Sequence, residues 1–182
     1  MKLPASLLCI VTSLVLGSCA ASTSAPTPAA VTLESVQCGS VEKLHACGPI
    51  WLASQPSATD FALLRERGVR HVINLRRPDE LKDFDQAAVL KELGLDAVNV
   101  PFSKPEELSD AALDQLRGLL RDAQEPTLLH CASSNRVGAV WLAYRTLDQG
   151  LAWDAALAEA KTVGLKTPAY ETRIKAYVDA RR

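Results

Sequence analysis

Thr127-Leu128-Leu129-His130-Cys131-Ala132-Ser133-Ser134-Asn135-Arg136-Val137-Gly138 joins two kinds of apolar pattern. Thr127-Leu128-Leu129 reads as a brief buried strand, whereas Val137, Val140, Trp141, Tyr144 and Leu147 recur on one face of a helix that Gly150 ends. Residues 130–136 are therefore a strand-to-helix loop. Such a loop turns its backbone N–H groups inward, and with the positive end of the helix dipole it cradles an anion. The same field favours a thiolate, so Cys131 is expected to have a lowered pKa and to be nucleophilic at neutral pH. Arg136, in the first helical turn, has the fork geometry to hold two oxygens of a tetrahedral anion. Ala132, Ser133, Ser134 and Asn135 supply the loop amides, and their side chains serve equally well as turn formers. His130 is expected to point into the fold and order the loop.

Working outward from this loop, strand and helix patterns alternate. Residues 50–53, 69–75 and 95–100 read as strands, and residues 83–93 as a helix that Gly94 stops. Ser57 with Asp60, and Ser109, look like helix N-caps, and two further helices are expected near residues 153–162 and 168–180. This alternation predicts an α/β domain of three layers, a mostly parallel central sheet flanked by helices, with right-handed crossovers. In such sheets ligands bind beyond the carboxyl ends of the strands, where His130 and Cys131 lie. Arg76 and Arg77 end a neighbouring strand at the same edge and are read as solvated charges or as a widening of the positive site. His71 is read as structural.

The chain has 182 residues, 20 basic against 21 acidic, so no basic excess exists to neutralise a run of phosphates and nucleic acid is not expected as a partner. No His, Cys and carboxylate spacing suits a metal, and no cofactor is implied. Residues 1–18 combine a positive start at Lys2, an apolar run too short to span a bilayer and small residues before Cys19, the pattern of a signal peptide. Residues 19–33 are small, uncharged and rich in Ser, Thr and Pro, and read as a disordered tether to a folded domain over residues 34–182. Of five cysteines, Cys9 falls in the signal. Export would favour a Cys38–Cys47 disulfide closing a short loop, with two free thiols as the alternative, and Cys131 stands alone.

Two resemblances add to this reading. Leu16-Gly17-Ser18-Cys19 resembles a bacterial lipobox, which implies lipidation at Cys19, membrane attachment through that lipid and a place in the cell envelope. Ala20 after the cysteine implies the outer membrane, facing the periplasm. The strings Trp51-Leu52-Ala53-Ser54-Gln55-Pro56-Ser57, Gly68 to Arg76, Val98-Asn99-Val100-Pro101, His130 to Gly138 and Ala160 to Leu165 together resemble the beta-lactamase-hydrolase-like phosphatase domain, a branch of the dual-specificity, tyrosine-phosphatase-like superfamily. That resemblance implies a cysteine-phosphatase-like sheet with the Cys131 loop as the active site.

The chain also departs from the usual phosphatase pattern. Four residues separate Cys131 from Arg136, one fewer than in most phosphatase loops, a spacing shared with rhodanese-like sulfurtransferases and with this family. Phe102-Ser103-Lys104-Pro105 stands where dual-specificity phosphatases carry an aspartic general acid, a role worth about a hundredfold. Glu106 and Glu107 are the candidate substitutes, or solvated charges ahead of a helix. Val137 replaces the hydroxyl residue usual after the loop arginine. Three expectations follow: a phosphatase using a Cys131 thiophosphoryl intermediate, a sulfurtransferase carrying a Cys131 persulfide, or a catalytically weak anion-binding lipoprotein. The partner is a small phosphorylated or sulfur-bearing substrate.

Overall fold

A computed structural model describes residues 31–182. The signal segment, Cys9, Cys19 and the tether up to residue 30 lie outside the described residues. Three short strands open the domain, β1 (Glu34–Ser35), β2 (Leu44–Cys47) and β3 (Ile50–Ala53), each antiparallel to the next. β3 then pairs in parallel with β6 (Thr127–His130), which pairs with β4 (His71–Asn74), which pairs with β5 (Asp96–Asn99). The sheet order is β1-β2-β3-β6-β4-β5, so the strand carrying the loop sits near its centre with parallel neighbours on both sides.

Helices cover both faces. α1 (Ala58–Glu66) and α2 (Gln86–Glu92) pack on one face with Ala53, Val72 and Leu128. α3 (Asp110–Arg121), α4 (Asn135–Leu147), α5 (Trp153–Val163) and α6 (Pro168–Asp179) pack on the other with Leu52, Ile73 and Leu129. The alternation along each strand, one residue to each core, is what a sheet covered on both faces requires. Ser57 caps α1 in a full capping box with Asp60, and the Ser109 hydroxyl accepts from the Ala112 N–H at the start of α3, as their spacing predicts.

The N-terminal hairpin of β1 and β2 makes the sheet mixed at one end, and the remaining strands form the mostly parallel, helix-flanked sheet that was expected. Two expectations are corrected. Leu33, assigned to the tether, packs against the core of the α3–α6 face. Cys38 and Cys47 are free thiols. Cys47, at the end of β2, points into the α3–α6 core, where its thiol donates to the Val31 carbonyl at 3.4 Å, while Cys38, in the connection between β1 and β2, packs on the α1–α2 side. Burial pushes both thiols up, away from ionisation. Among the described residues no helix is long and apolar enough to cross a membrane.

α4 is enclosed almost all round, with every residue from Arg136 to Thr146 buried. Its sequence stripe marked only the face against the sheet; α3, α5 and α6 cover the rest. Gly138 permits the closest of these approaches, because a Cβ there would lie 2.7 Å from the Leu165 N atom and 2.8 Å from the Ala160 oxygen.

Candidate active site

The loop after β6 is pinned at both ends. The Cys131 N–H donates to the Ala53 carbonyl at 3.4 Å, and the Gln55 N–H donates to the Ala132 carbonyl at 3.2 Å. At the far end the Asn135 side chain is anchored: its Oδ1 accepts from the Lys166 and Thr167 N–H groups, and its Nδ2 donates to Thr167 Oγ1. Asn135 thus staples the loop to the α5–α6 connection and leaves one Nδ2–H toward the cleft it lines. Among the described residues the N–H groups of Ala132, Ser133 and Ser134 have no hydrogen-bond partner, the condition an anion cradle needs.

Ser134 holds the turn. It has φ +65, the one positive φ outside glycine among the described residues, its backbone is pressed against Gly164, and its buried hydroxyl has no partner. A left-handed backbone costs a non-glycine residue about 1 kcal/mol, and an unpartnered buried hydroxyl about 1–3 kcal/mol. Ser134→Gly relieves both, offset by about 0.5–1 kcal/mol of added freedom in the unfolded chain. A net stabilisation of roughly 1 kcal/mol is expected in urea unfolding, and a lower midpoint would show that the serine side chain supports the loop.

Arg136 is the most constrained side chain of the site. Nη1 donates to the carbonyls of Leu75 (3.0 Å) and Phe102 (2.7 Å) and to Glu80 Oε1 (2.9 Å), and Nη2 donates to Glu80 Oε2 (2.6 Å). Glu80 therefore grips the end of the guanidinium formed by its two terminal nitrogens. The other edge, the Nε–H with the second Nη2–H, has no partner among the described residues. That edge is a fork able to meet two anion oxygens at once. The ion pair shifts both partners: Arg136 holds Glu80 below the usual carboxylate range, and Glu80 keeps Arg136 more basic than a free guanidinium against the burial that opposes it.

Glu80 was missed in the sequence because it follows Arg76-Arg77-Pro78-Asp79, which reads as a solvated turn. Its position just past the end of β4, at the ligand edge of the sheet, was the available signal. Arg76 is likewise not solvated. It donates to Gln55 Oε1 (2.7 Å), Gln55 Nε2 donates to Gln86 Oε1 (3.0 Å), and Gln86 Nε2 reaches His130 Nε2 at 3.1 Å. Arg76 has only donors, so it sets the orientation of each amide in turn, and His130 Nε2 must accept. Burial, aided by Arg76, pushes the His130 pKa down to about 3, so the ring is neutral and orders the loop from the α1–α2 face. Arg77 is half-buried and paired with Asp79.

A cleft of about 290 Å³ opens at the loop, lined by Glu80, Ser103, Lys104, Ser133, Arg136 and Tyr170 among others. Cys131 is 1% exposed and does not line it; the side chain belongs to the α3–α6 core. Glu106 and Glu107 are exposed and do not line it either. The Glu107 carboxylate accepts from the Ser103 N–H at 2.7 Å and so shapes the cleft from outside. Tyr170 donates its hydroxyl to the Ser103 carbonyl, and burial pushes its pKa up to about 12. Among the described residues no group of three or more His, Cys, Asp or Glu could hold a metal.

A central parallel sheet flanked by helices, with a cysteine ending the middle strand and an arginine opening the next helix, defines the tyrosine-phosphatase-like class of α/β fold, and solved structures agree. TpbA of P. aeruginosa is 26% identical with a TM-score of 0.63, over 84% of this chain and 91% of that one. A DUF442 phosphatase candidate of Shewanella putrefaciens is 19% identical with a TM-score of 0.63, over 78% of this chain and 94% of that one. The Siw14 catalytic core is 20% identical with a TM-score of 0.63, over 77% of this chain and 87% of that one. A cysteine-to-serine form of TpbA has been solved in complex with phosphotyrosine. No protein-family profile and no curated protein matches the sequence.

Proposed function

We propose that the protein is a cysteine-dependent phosphatase acting on phosphomonoesters. One observation carries this reading: Arg136 is anchored by Glu80 and two carbonyls so that its Nε–Nη2 edge is left free beside the unpaired amides at the start of α4. That edge and those amides would bind the non-bridging oxygens and stabilise the charge that builds on them in the transition state. The Cys131 thiolate attacks phosphorus, a sulfur–phosphorus bond forms, and the bond from phosphorus to the leaving oxygen breaks. Water then attacks the thiophosphoryl group, releasing inorganic phosphate and regenerating the thiolate.

Among the described residues no carboxylic acid other than the Arg136-bound Glu80 lines the cleft, so the leaving oxygen departs with little help from an acid. This favours aryl phosphates, whose leaving group is a stable phenolate, over alkyl phosphates. Glu106 or Glu107 would supply the proton if the segment carrying them folded over the cleft. The likeness to TpbA, whose substituted form binds phosphotyrosine, supports the same preference. The missing acid and the four-residue spacing also suit a Cys131 persulfide, which needs no alkoxide protonation. In the broader proposal the domain is tethered through a lipid on Cys19 in the cell envelope, facing the periplasm.

Paired assays on the full-length chain separate these readings. The expected result is hydrolysis of an aryl phosphate well above an alkyl phosphate, with no sulfur transfer from thiosulfate to cyanide. Sulfur transfer without phosphate release would reassign Cys131 to persulfide chemistry, and silence in both would leave an anion-binding role.

A further inference from the structure

The segment from Arg76 to Leu81 divides two cavities. Glu80 faces the cleft of about 290 Å³ described above. On its other side Pro78 and Leu81 line a larger cavity of about 720 Å³, walled further by Phe84 and Leu90 and ending on Asn74 and Asn99. The two asparagines are register partners at the carboxyl ends of β4 and β5, the sheet edge at which α/β proteins take ligands.

Both amides have settled orientations. Asn74 Oδ1 accepts from the Arg76 N–H at 2.8 Å, which leaves Asn74 Nδ2 as the atom with no protein partner among the described residues. Asn99 Nδ2 donates to the carbonyls of Asn74 (2.8 Å) and Arg76 (2.9 Å), which leaves Asn99 Oδ1 unused. Asn74 is 6% exposed, so its spare donor meets little except this cavity. That donor stays accessible through the cavity, open to an acceptor carried by a ligand. The apolar patch of Pro78, Leu81, Phe84 and Leu90, flanked by the oppositely charged Lys82 and Asp85 and by Gln86, therefore ends in one fixed donor and one fixed acceptor.

We infer that this cavity binds a neutral planar ligand whose edge carries a carbonyl acceptor beside an N–H donor, as in a primary carboxamide or a lactam, and that its occupancy is transmitted to Arg136 through Pro78, Glu80 and Leu81. The ring packs on Phe84 and Leu90, the carbonyl accepts from Asn74 Nδ2, and the N–H donates to Asn99 Oδ1. A ligand pressing on Pro78 and Leu81 shifts the short turn that carries Glu80, and Glu80 holds the guanidinium end of Arg136.

The test uses benzamide as probe, titrated into the full-length protein and followed by the nitrogen–proton NMR signals of the Asn74 and Asn99 side chains and of Arg136 Nε. Saturable shifts at both asparagines are expected, with a Kd on the order of 1 mM for so small a ligand. Acetophenone keeps the ring and carbonyl but lacks the N–H, and is expected to bind about tenfold more weakly. Ala87→Trp fills the cavity from the exposed side of α2, and is expected to abolish the shifts while the thermal midpoint is kept. Non-saturable shifts, shifts that persist in Ala87→Trp, or equal binding of acetophenone would overturn the assignment. An Arg136 Nε signal that stays put while both asparagine signals saturate would overturn the coupling. None of these readouts depends on turnover, so the inference fails or stands separately from the phosphatase reading.

Discussion

Replacing Cys131 by serine is expected to lower phosphate release from an aryl phosphate by about three orders of magnitude or more, with little change in stability. The nucleophile forms the bond on which both half-reactions depend, and losing such a group removes most of the rate beyond what binding alone supplies. A serine hydroxyl occupies nearly the same volume at the end of β6 but is not ionised at neutral pH. Substrate binding, which rests on the loop amides and Arg136, is expected to survive, so the variant should protect its fold against urea when an aryl phosphate is present. Residual activity within about tenfold of the parent would mean that another group attacks phosphorus.

Arg136→Lys is the second large effect, expected at about a 10²- to 10³-fold loss in kcat/KM. Lysine keeps the charge but not the fork. One ammonium cannot satisfy the Leu75 and Phe102 carbonyls and the Glu80 carboxylate while also gripping two phosphate oxygens. Stability is expected to fall by about 1–3 kcal/mol, below the full cost of breaking a buried pair because Glu80 is partly exposed. Glu80→Gln separates the two roles: it keeps an acceptor for Arg136 but removes the charge, and a loss of about tenfold is expected. Since Arg136 holds the Glu80 pKa below its unfolded value, the pair stabilises the fold at neutral pH, and that contribution is lost as pH falls through the folded pKa. The Gln variant should therefore lose stability less steeply in acid. An unchanged acid limb would show that the pair does not couple to folding.

The parts of the fold that were legible in the sequence are those with a local cause. Ser57 with Asp60, and Ser109, announce helix starts because capping is a short-range bond. The apolar run before His130 and the periodicity after Arg136 locate the loop because strand and helix periods differ. The likeness of residues 160–165 to the family pattern has a physical basis in Gly164 and Leu165, which back the loop at Ser134 and the helix at Gly138.

What escaped has non-local causes. Glu80 lies 56 residues from the arginine it holds, and only the folded sheet brings them together. The chain from Arg76 through Gln55 and Gln86 to His130 joins four separate segments, so three residues that look polar and exposed prove to order the loop after β6. Cys38 and Cys47 are close in sequence, yet the connection between β1 and β2 lays Cys38 on one core while β2 points Cys47 into the other. For the candidate acids the sequence left Glu106 and Glu107 undecided between catalysis and solvation, and the structure gives Glu107 a loop-shaping bond to Ser103.

The absence of a hydroxyl at Val137 bears on which step is slow. With no side-chain help for water at the second step, the thiophosphoryl form should accumulate during turnover. The most direct test of the account is therefore to mix the full-length protein with an aryl phosphate, quench it in acid during turnover and map the modified peptide by mass spectrometry. One phosphoryl group is expected on Cys131, absent in Cys131→Ser. An unmodified Cys131 during active hydrolysis, or a sulfur adduct formed from thiosulfate with no phosphoryl adduct under any condition, would contradict it.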